Sequence, residues 1–212
     1  MFTMYTYTLY TSGPMPTSRS AILTTAWRLF ARQGLAGITM RRIAERNRVT
    51  PMALYRHYPS KEALVDALID EAFAGWEARV AAIAEPDPRA WLVRWGDEYV
   101  DFALDDPRRF EAAFLLRSPH IRRFPDDFAA GKSPAFAMAI PRIEACVASG
   151  RFRAGPPLEI AMSLWSHAHG LVVLHRTGRF SVADDQLRAI YRRSIARLLD
   201  GIETPRRKGR TR

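Results

Sequence analysis

Apolar residues recur at intervals of three and four over most of this chain, and period-two alternation is confined to its first residues. That pattern predicts helices. The first, over 19–33, places Ile22, Ala26, Leu29 and Phe30 on one stripe, and Gly34 closes it. A second, short helix begins after Thr39, whose hydroxyl can satisfy an orphan amide of the first turn, and directs Ile43 and Ala44 to a core. Asn47 and Arg48 interrupt it, with Val49 as the expected buried plug of the turn. A third opens with Thr50 as cap and Pro51 at its first position, where a missing N–H costs nothing, and is expected to run to about Tyr58 before Pro59. Two short helices with a tight break between them make a helix-turn-helix.

The rest of the chain continues in the same mode. Ser60 caps a long helix expected to reach Ala84, with Leu64, Ala67 and Leu68 on one apolar line and Ile69, Phe73, Trp76, Val80 and Ile83 on another. After the break "EPDP" come helices over 89–104, 107–116 and 133–149, the last with an expected kink at Pro141. Between the latter two, "SPHIRRFPDDFAAGKSP" reads as an irregular connection. The stretch 157–176 is apolar nearly all round, which argues for burial on several sides. A final helix starts at Asp184, with Ser181 as partner in a variant capping box, and ends at Asp200 before Gly201.

Charge changes the picture at the helix-turn-helix. From Arg19 to Lys61 there are nine basic residues and one acid, Glu45, so this unit presents a positive face suited to a duplex phosphate backbone. The whole chain of 212 residues carries a formal +10, which favours an acidic partner. Its 48% apolar and 25% charged residues are ordinary for a folded soluble protein, and no apolar run approaches the roughly 18 residues of a membrane span, so no membrane partner is expected. Cys146 is the only cysteine, which excludes an intrachain disulfide and fits a reducing cytoplasm.

The segment Ile22 to Leu68, with "GITMRRIAERNRVT" and "LYRHYPSKEAL", resembles the DNA-binding domain of TetR/AcrR-type transcriptional regulators. That family has glycine in the turn where this chain has Arg48; Asn47 tolerates left-handed backbone better, so a turn shifted by one position is expected. Further on, "LWSHAHGL", with Trp165, His169 and Gly170, is similar to the Trp…His-Gly signature of one class of TetR-type ligand-binding domain. The resemblance implies an all-α fold: a three-helix DNA-binding domain over 19–65, then a helical effector-binding and dimerisation domain over 66–202. Residues 1–18 and the basic 203–212 are expected to be disordered tails. Because the resemblance begins just after Met15, translation is expected to start there, which an intact mass of the natural protein would test.

The family pattern implies base or methyl contacts from Pro51, Met52 and Ala53, and backbone or neighbouring-base contacts from Tyr55 and His57. Arg41 is expected at a guanine, with Thr39, Thr50 and Lys61 on the DNA-binding surface and Thr39 and Lys61 as phosphate anchors. Trp95, Tyr99, Trp165 and His169 are the candidate effector pocket, favouring a hydrophobic or aromatic small molecule. The resemblance also implies a homodimer through the last two helices. His167, His169 and His175 lack the three- or four-residue spacing that would bring them to one helix face, so no metal or other cofactor is expected. No nucleophile elbow, phosphate loop or catalytic constellation stands out, so an enzyme is not expected. The expected function is a repressor of a palindromic operator in double-stranded DNA, released by its effector; the alternative is a ligand-independent DNA-binding or architectural protein whose C-terminal domain only dimerises.

Overall fold

The computed structural model describes residues 18–205. The expected tail before Ser18, the start at Met15 and the basic stretch 206–212 lie outside them. Among the described residues the secondary structure is helical: α1 (Arg19–Gln33), α2 (Met40–Asn47), α3 (Pro51–Tyr55), α4 (Lys61–Ala81), α5 (Pro88–Asp105), α6 (Pro107–Phe114), α7 (Asp126–Ala129), α8 (Pro134–Ala137), α9 (Ile140–Ala148), α10 (Pro157–Arg176) and α11 (Asp184–Ile202). The one β-type feature among them is an isolated antiparallel bridge between Phe152 and Glu203, so the fold is all-α. None of these helices is long and apolar enough to cross a membrane. The chain divides into two compact units, Met1–Leu68 and Ile69–Arg212, and the division falls inside α4, a few residues beyond 65.

In the first unit, Ser18 Oγ accepts from the Ala21 N–H at 3.1 Å and starts α1, whose stripe Ile22, Ala26, Leu29 and Phe30 is buried. Gly34 ends the helix at φ 61° and leads through a 3-10 turn, Gly34–Gly37, to Thr39. Gly37 is buried so tightly that a Cβ there would lie 2.7 Å from Gln33 Cβ. Thr39 caps α2 by accepting from the Arg42 N–H at 3.3 Å, and Ile43, Ala44 and Met40 complete the core. Tyr58, 1% exposed, donates its hydroxyl to the Arg19 carbonyl at 3.3 Å under the Arg19 guanidinium. Ser60 caps α4 through the Ala63 N–H, and Leu64, Val65 and Leu68 are buried.

The turn differs from expectation in three ways. Arg48 itself takes the left-handed conformation, φ 56° and ψ 40°, as the one non-glycine residue with positive φ among the described residues. It does so because the Arg48 N–H reaches the Glu45 carbonyl and the Val49 N–H reaches the Ala44 carbonyl at 3.0 Å, the paired closure of a Schellman cap. Asn47 does not shift the turn. Its amide donates to the Ile43 carbonyl at 2.8 Å and its oxygen accepts from Thr25, which ties α2 to α1. Val49 is only half-buried, and α3 ends at Tyr55 rather than Tyr58 because the Tyr58 ring is drawn inward.

In the second unit, α5 packs against α6, α9, α10 and α11 and buries Trp91, Trp95, Tyr99 and Phe102. Its contact with α11 depends on a missing atom: a Cβ at Gly96 would lie 1.7 Å from the Tyr191 hydroxyl oxygen. Ion pairs flank that contact, Arg188 to Asp101 at 2.6 Å and Arg192 to Asp97 at 3.3 Å. The expected kinked helix 133–149 is two helices. Pro141 sits in the first turn of α9, where its missing N–H breaks no bond, instead of bending a continuous helix. The irregular connection contains α7, and α4 ends at Ala81, short of Ala84. On α10 burial is confined to the stripe Ala161, Leu164, Ala168 and Val172, leaving Leu174 40% exposed, so the expected burial on several sides is not made within one chain. The start of α11 is closed by Gln186, which accepts from the Ala183 N–H at 3.2 Å, without Ser181, and the helix runs through Gly201. Glu203, assigned to the tail by composition, pairs with Arg89 and bridges to Phe152.

Two substitutions test these backbone constraints. Arg48→Gly should stabilise the first unit by about 0.5–1 kcal/mol, the left-handed penalty relieved less the entropy that glycine adds to the unfolded chain. Urea unfolding followed by circular dichroism would show the higher midpoint. Gly96→Ala forces Tyr191 from its seat and should cost the second unit about 1–3 kcal/mol, seen as a lower midpoint.

Candidate nucleic-acid interface and ligand cavity

In the first unit α3 is anchored by one residue, Leu54, which is fully buried. Its other positions face outward: Pro51 is exposed, Ala53 half-exposed, and Met52 and Tyr55 are 69% and 44% exposed, while His57, just past its end, is half-exposed. Thr50 caps it by accepting from the Ala53 N–H at 3.3 Å, and Thr39 does the same for α2, so each hydroxyl keeps its proton free to donate outward. Arg41, beside this surface, is 85% exposed and forms an i,i+4 pair with Glu45 at 3.0 Å. Such a surface pair contributes little and yields readily to another acceptor.

Arg42 plays a different part. It donates to the Gln33 side chain and to the Gly37 carbonyl at 3.2 Å, which clamps the α1–α2 connection. Periodicity gave no hint of this, because Gln33 is the last residue of α1 and Gly37 lies in the turn that follows it. Lys61 is half-exposed at the first position of α4. Beside it, hydrogen bonds from its own backbone N–H and from the Ser60 hydroxyl hold the Glu62 carboxyl below the usual carboxylate range. The Glu62 and Ala63 amides at that end are therefore already engaged.

The second unit encloses a cavity of about 110 Å³, with about 590 Å³ of empty space including its mouth. Phe73 and Trp76 of α4, Trp95 of α5, Ala113 and Phe114 of α6, Phe128 of α7, Phe136 of α8 and Trp165 of α10 form its walls, with Ile121, Arg122 and Ser133 from the connections. Of the four candidate pocket residues, Trp95 and Trp165 line this space. Tyr99 and His169 do not; they form a hydrogen-bonded pair behind it, hydroxyl to Nδ1 at 2.7 Å, with the Trp165 ring 5.3 Å from His169. Burial pushes the Tyr99 phenol well above its ordinary range and the His169 imidazole below its own. Tyr99 thus keeps its proton and donates it to a neutral imidazole. Ile121, Arg122 and Phe128 come from a segment without apolar periodicity, and nothing in their spacing marks them as wall.

Charge is unevenly divided. Residues 1–68 hold nine basic and three acidic side chains, residues 69–205 eighteen and nineteen, and residues 206–212 five basic ones. The positive excess therefore sits on the helix-turn-helix unit and the C-terminal stretch. No group of three or more His, Cys, Asp or Glu that could hold a metal ion occurs among the described residues.

A small helix-turn-helix unit with an outward-facing third helix, followed by a helical unit with an aromatic cavity, defines the class of one-component DNA-binding regulators. Residues 22–68 match the profile of bacterial regulatory proteins of the tetR family, and residues 92–198 match that of the tetracyclin repressor-like C-terminal domain. The chain belongs to the TetR family of transcriptional regulators. The Trp165…His169-Gly170 class is a finer assignment than these descriptions make. Over 52 residues, 24% of each chain, the sequence is 46% identical to the class C tetracycline repressor protein of Escherichia coli, so the match spans about a quarter of that relative. A TetR transcription regulator from Haloarcula marismortui superposes with a TM-score of 0.69 at 20% identity, over 88% of this chain and 98% of that one. A transcriptional regulator from Saccharomonospora viridis, in complex with choline, does so with a TM-score of 0.63 at 26% identity, over 88% and 98%.

The buried imidazole generates a pH prediction. Since the folded-state value of His169 is lowered from 6.5 by burial, the unfolded chain binds the proton first. The contribution of this site is present above 6.5 and is lost as pH falls through the lowered value. His169→Gln should therefore lose less stability than the parent between about pH 7 and about pH 5, measured as the change in urea midpoint. His167, also lowered by burial, remains in both proteins and cancels in the comparison.

Proposed function

We propose that the protein is a homodimeric repressor that binds a palindromic operator and leaves it when a hydrophobic or aromatic small molecule occupies the C-terminal unit. The observation that carries the DNA half of this reading is α3 itself. A helix capped by Thr50 and begun by Pro51 holds one buried leucine and spends its remaining side chains on solvent, two of them large and apolar, inside a strongly basic unit. Exposed Met52 and Tyr55 weaken a monomer's solubility unless they meet a surface such as a major groove. On this reading Pro51, Met52 and Ala53 meet base edges, Tyr55 and His57 the adjacent strand, Arg41 a guanine, and Thr39, Thr50 and Lys61 phosphate.

Two subunits would set their reading helices about 34–36 Å apart, one DNA turn. The half-exposed apolar positions of α10 and α11, with Leu174 at 40%, support pairing through these helices. For the effector half, Phe73 and Trp76 of the cavity wall belong to α4, whose N-terminal turns carry Leu64 and Leu68 of the DNA-binding unit. A ligand pressing on those rings acts on a helix that both units share, and a coupling of about 1–3 kcal/mol is the ordinary scale of such an effect.

Selection of binding sites from random duplex DNA tests the reading. A palindrome with half-sites one turn apart is the expected result; recovery of no consensus, with steeply salt-sensitive binding, would sink it. On the selected site, Tyr55→Ala should weaken binding by about tenfold or more. Lys61→Ala should weaken binding to all sequences alike and make the salt slope shallower by about 1, measured by fluorescence anisotropy.

A further inference from the structure

The turn between α2 and α3 holds the one positive φ among the described non-glycine residues, and it belongs to an arginine. Arg48 sits at φ 56° and ψ 40°, where a Cβ crowds the following carbonyl oxygen. The two hydrogen bonds that close α2, from the Arg48 N–H to Glu45 and from the Val49 N–H to Ala44, impose this conformation on whatever residue stands there. Glycine would take it without strain. Strained residues persist where the surrounding structure over-determines them, and they gather at functional sites.

Nothing among the described residues uses the Arg48 charge. Its side chain is exposed and has no hydrogen bond, ion pair or ring contact among them. Other arginines of the unit are engaged: Arg19 lies over the Tyr58 ring, Arg41 pairs with Glu45, and Arg42 clamps Gln33 and Gly37. Glu45 is the one acid between Arg19 and Lys61, so the helix-turn-helix holds no other carboxylate for Arg48. Arg28, Arg32, Arg46 and Arg56 are also without a partner among the described residues, but each stands on ordinary right-handed backbone. Arg48 alone combines an unused charge with a strained position.

Its place in the chain gives that charge a partner outside the protein. Arg48 lies two residues before Thr50, the cap of α3, and three before Pro51, where α3 begins. A reading helix meets the major groove with its N-terminal residues, which brings the turn that precedes it to the rim of the groove, where the phosphates run. We infer that Arg48 donates to a DNA phosphate at that rim and fixes the register of α3, as a positioning residue that reads no base. The inference rests on the DNA-binding reading above and adds one contact to it. The turn thereby trades folding stability for hold on DNA, so one substitution has two effects of opposite sign.

Arg48→Gly, Arg48→Asn and Arg48→Lys in the full chain separate charge from backbone. Glycine and asparagine accept left-handed backbone and remove the charge, whereas lysine keeps both the charge and the strain. Affinity is read by fluorescence anisotropy on the selected site and on an unrelated duplex. At about 0.15 M salt, Arg48→Gly and Arg48→Asn are expected to bind both duplexes about fivefold more weakly for each subunit bound, with a salt slope shallower by about 1 per subunit. Arg48→Lys should stay within about twofold of the parent and keep its slope. The urea midpoint of Arg48→Gly should rise meanwhile, so loss of fold does not imitate loss of contact. Unchanged affinity and slope in Arg48→Gly and Arg48→Asn overturn the inference, as does weakening confined to the selected site, which would make Arg48 a base reader. A loss in Arg48→Gly that Arg48→Asn does not share also overturns it, because the effect then belongs to a loosened turn. An Arg48→Lys protein as weak as Arg48→Gly overturns it too. Each of these leaves the DNA-binding reading standing, whereas a parent chain that binds neither duplex removes that reading and this inference together.

Discussion

The hydroxyl of Tyr99 imposes the constraint on which the second unit is built. A phenol 1% exposed must find an acceptor or forgo its bond to water, and the acceptor is His169 Nδ1 on another helix, 2.7 Å away. Meeting that distance fixes how far α5 stands from α10 and how each is rotated. One turn earlier on α5 the constraint is of the opposite kind. Gly96 brings no side chain at all, and Tyr191 of α11 lies where a Cβ would be. One polar contact and one missing atom therefore set the two neighbours of α5, and the ion pairs of Arg188 and Arg192 follow from the approach they permit.

Around Tyr99 the rings of Trp76, Phe110, Phe114, Trp165 and His169 lie with centroids 5.0 to 6.3 Å away, mostly edge to face. Edge-to-face rings are rigid, flat-sided solids that leave gaps which flexible aliphatic side chains would close. The cavity lies on the far side of this cluster, where the short helices α7 and α8 and their connections cover it. Its existence is thus a consequence of building the core from aromatic residues.

Helices were legible in this sequence wherever one face had to be apolar. The bounds 19–33 and 157–176 read from spacing are those of α1 and α10, and Thr39, Thr50 and Ser60 cap as their chemistry dictates. What spacing could not carry was tertiary. The length of α3 was misjudged because Tyr58 is pulled inward by a hydrogen bond to Arg19, thirty-nine residues away. The turn was misjudged because propensity favours asparagine in left-handed backbone, while here Asn47 is occupied by Thr25 and Ile43 and the strain falls on Arg48. On the effector side, Trp95 and Trp165 were visible as aromatics on helices, but Arg122 and Phe128 come from an aperiodic connection. Tyr99 and His169 were visible as a pair of polar aromatics, and only their hydrogen bond reveals that they brace the wall instead of forming it.

Charge is unevenly divided between the two units. Nine basic against three acidic side chains in residues 1–68 give the first unit its attraction for a polyanion, whereas residues 69–205 are close to neutral. A ligand shifts an equilibrium only if it binds two arrangements of the cavity wall unequally, and the wall residues Phe73 and Trp76 would place such a difference on α4. In the proposed dimer the spacing of two reading helices on a rigid duplex tolerates little error, so a small displacement of a stiff helix would suffice to weaken binding.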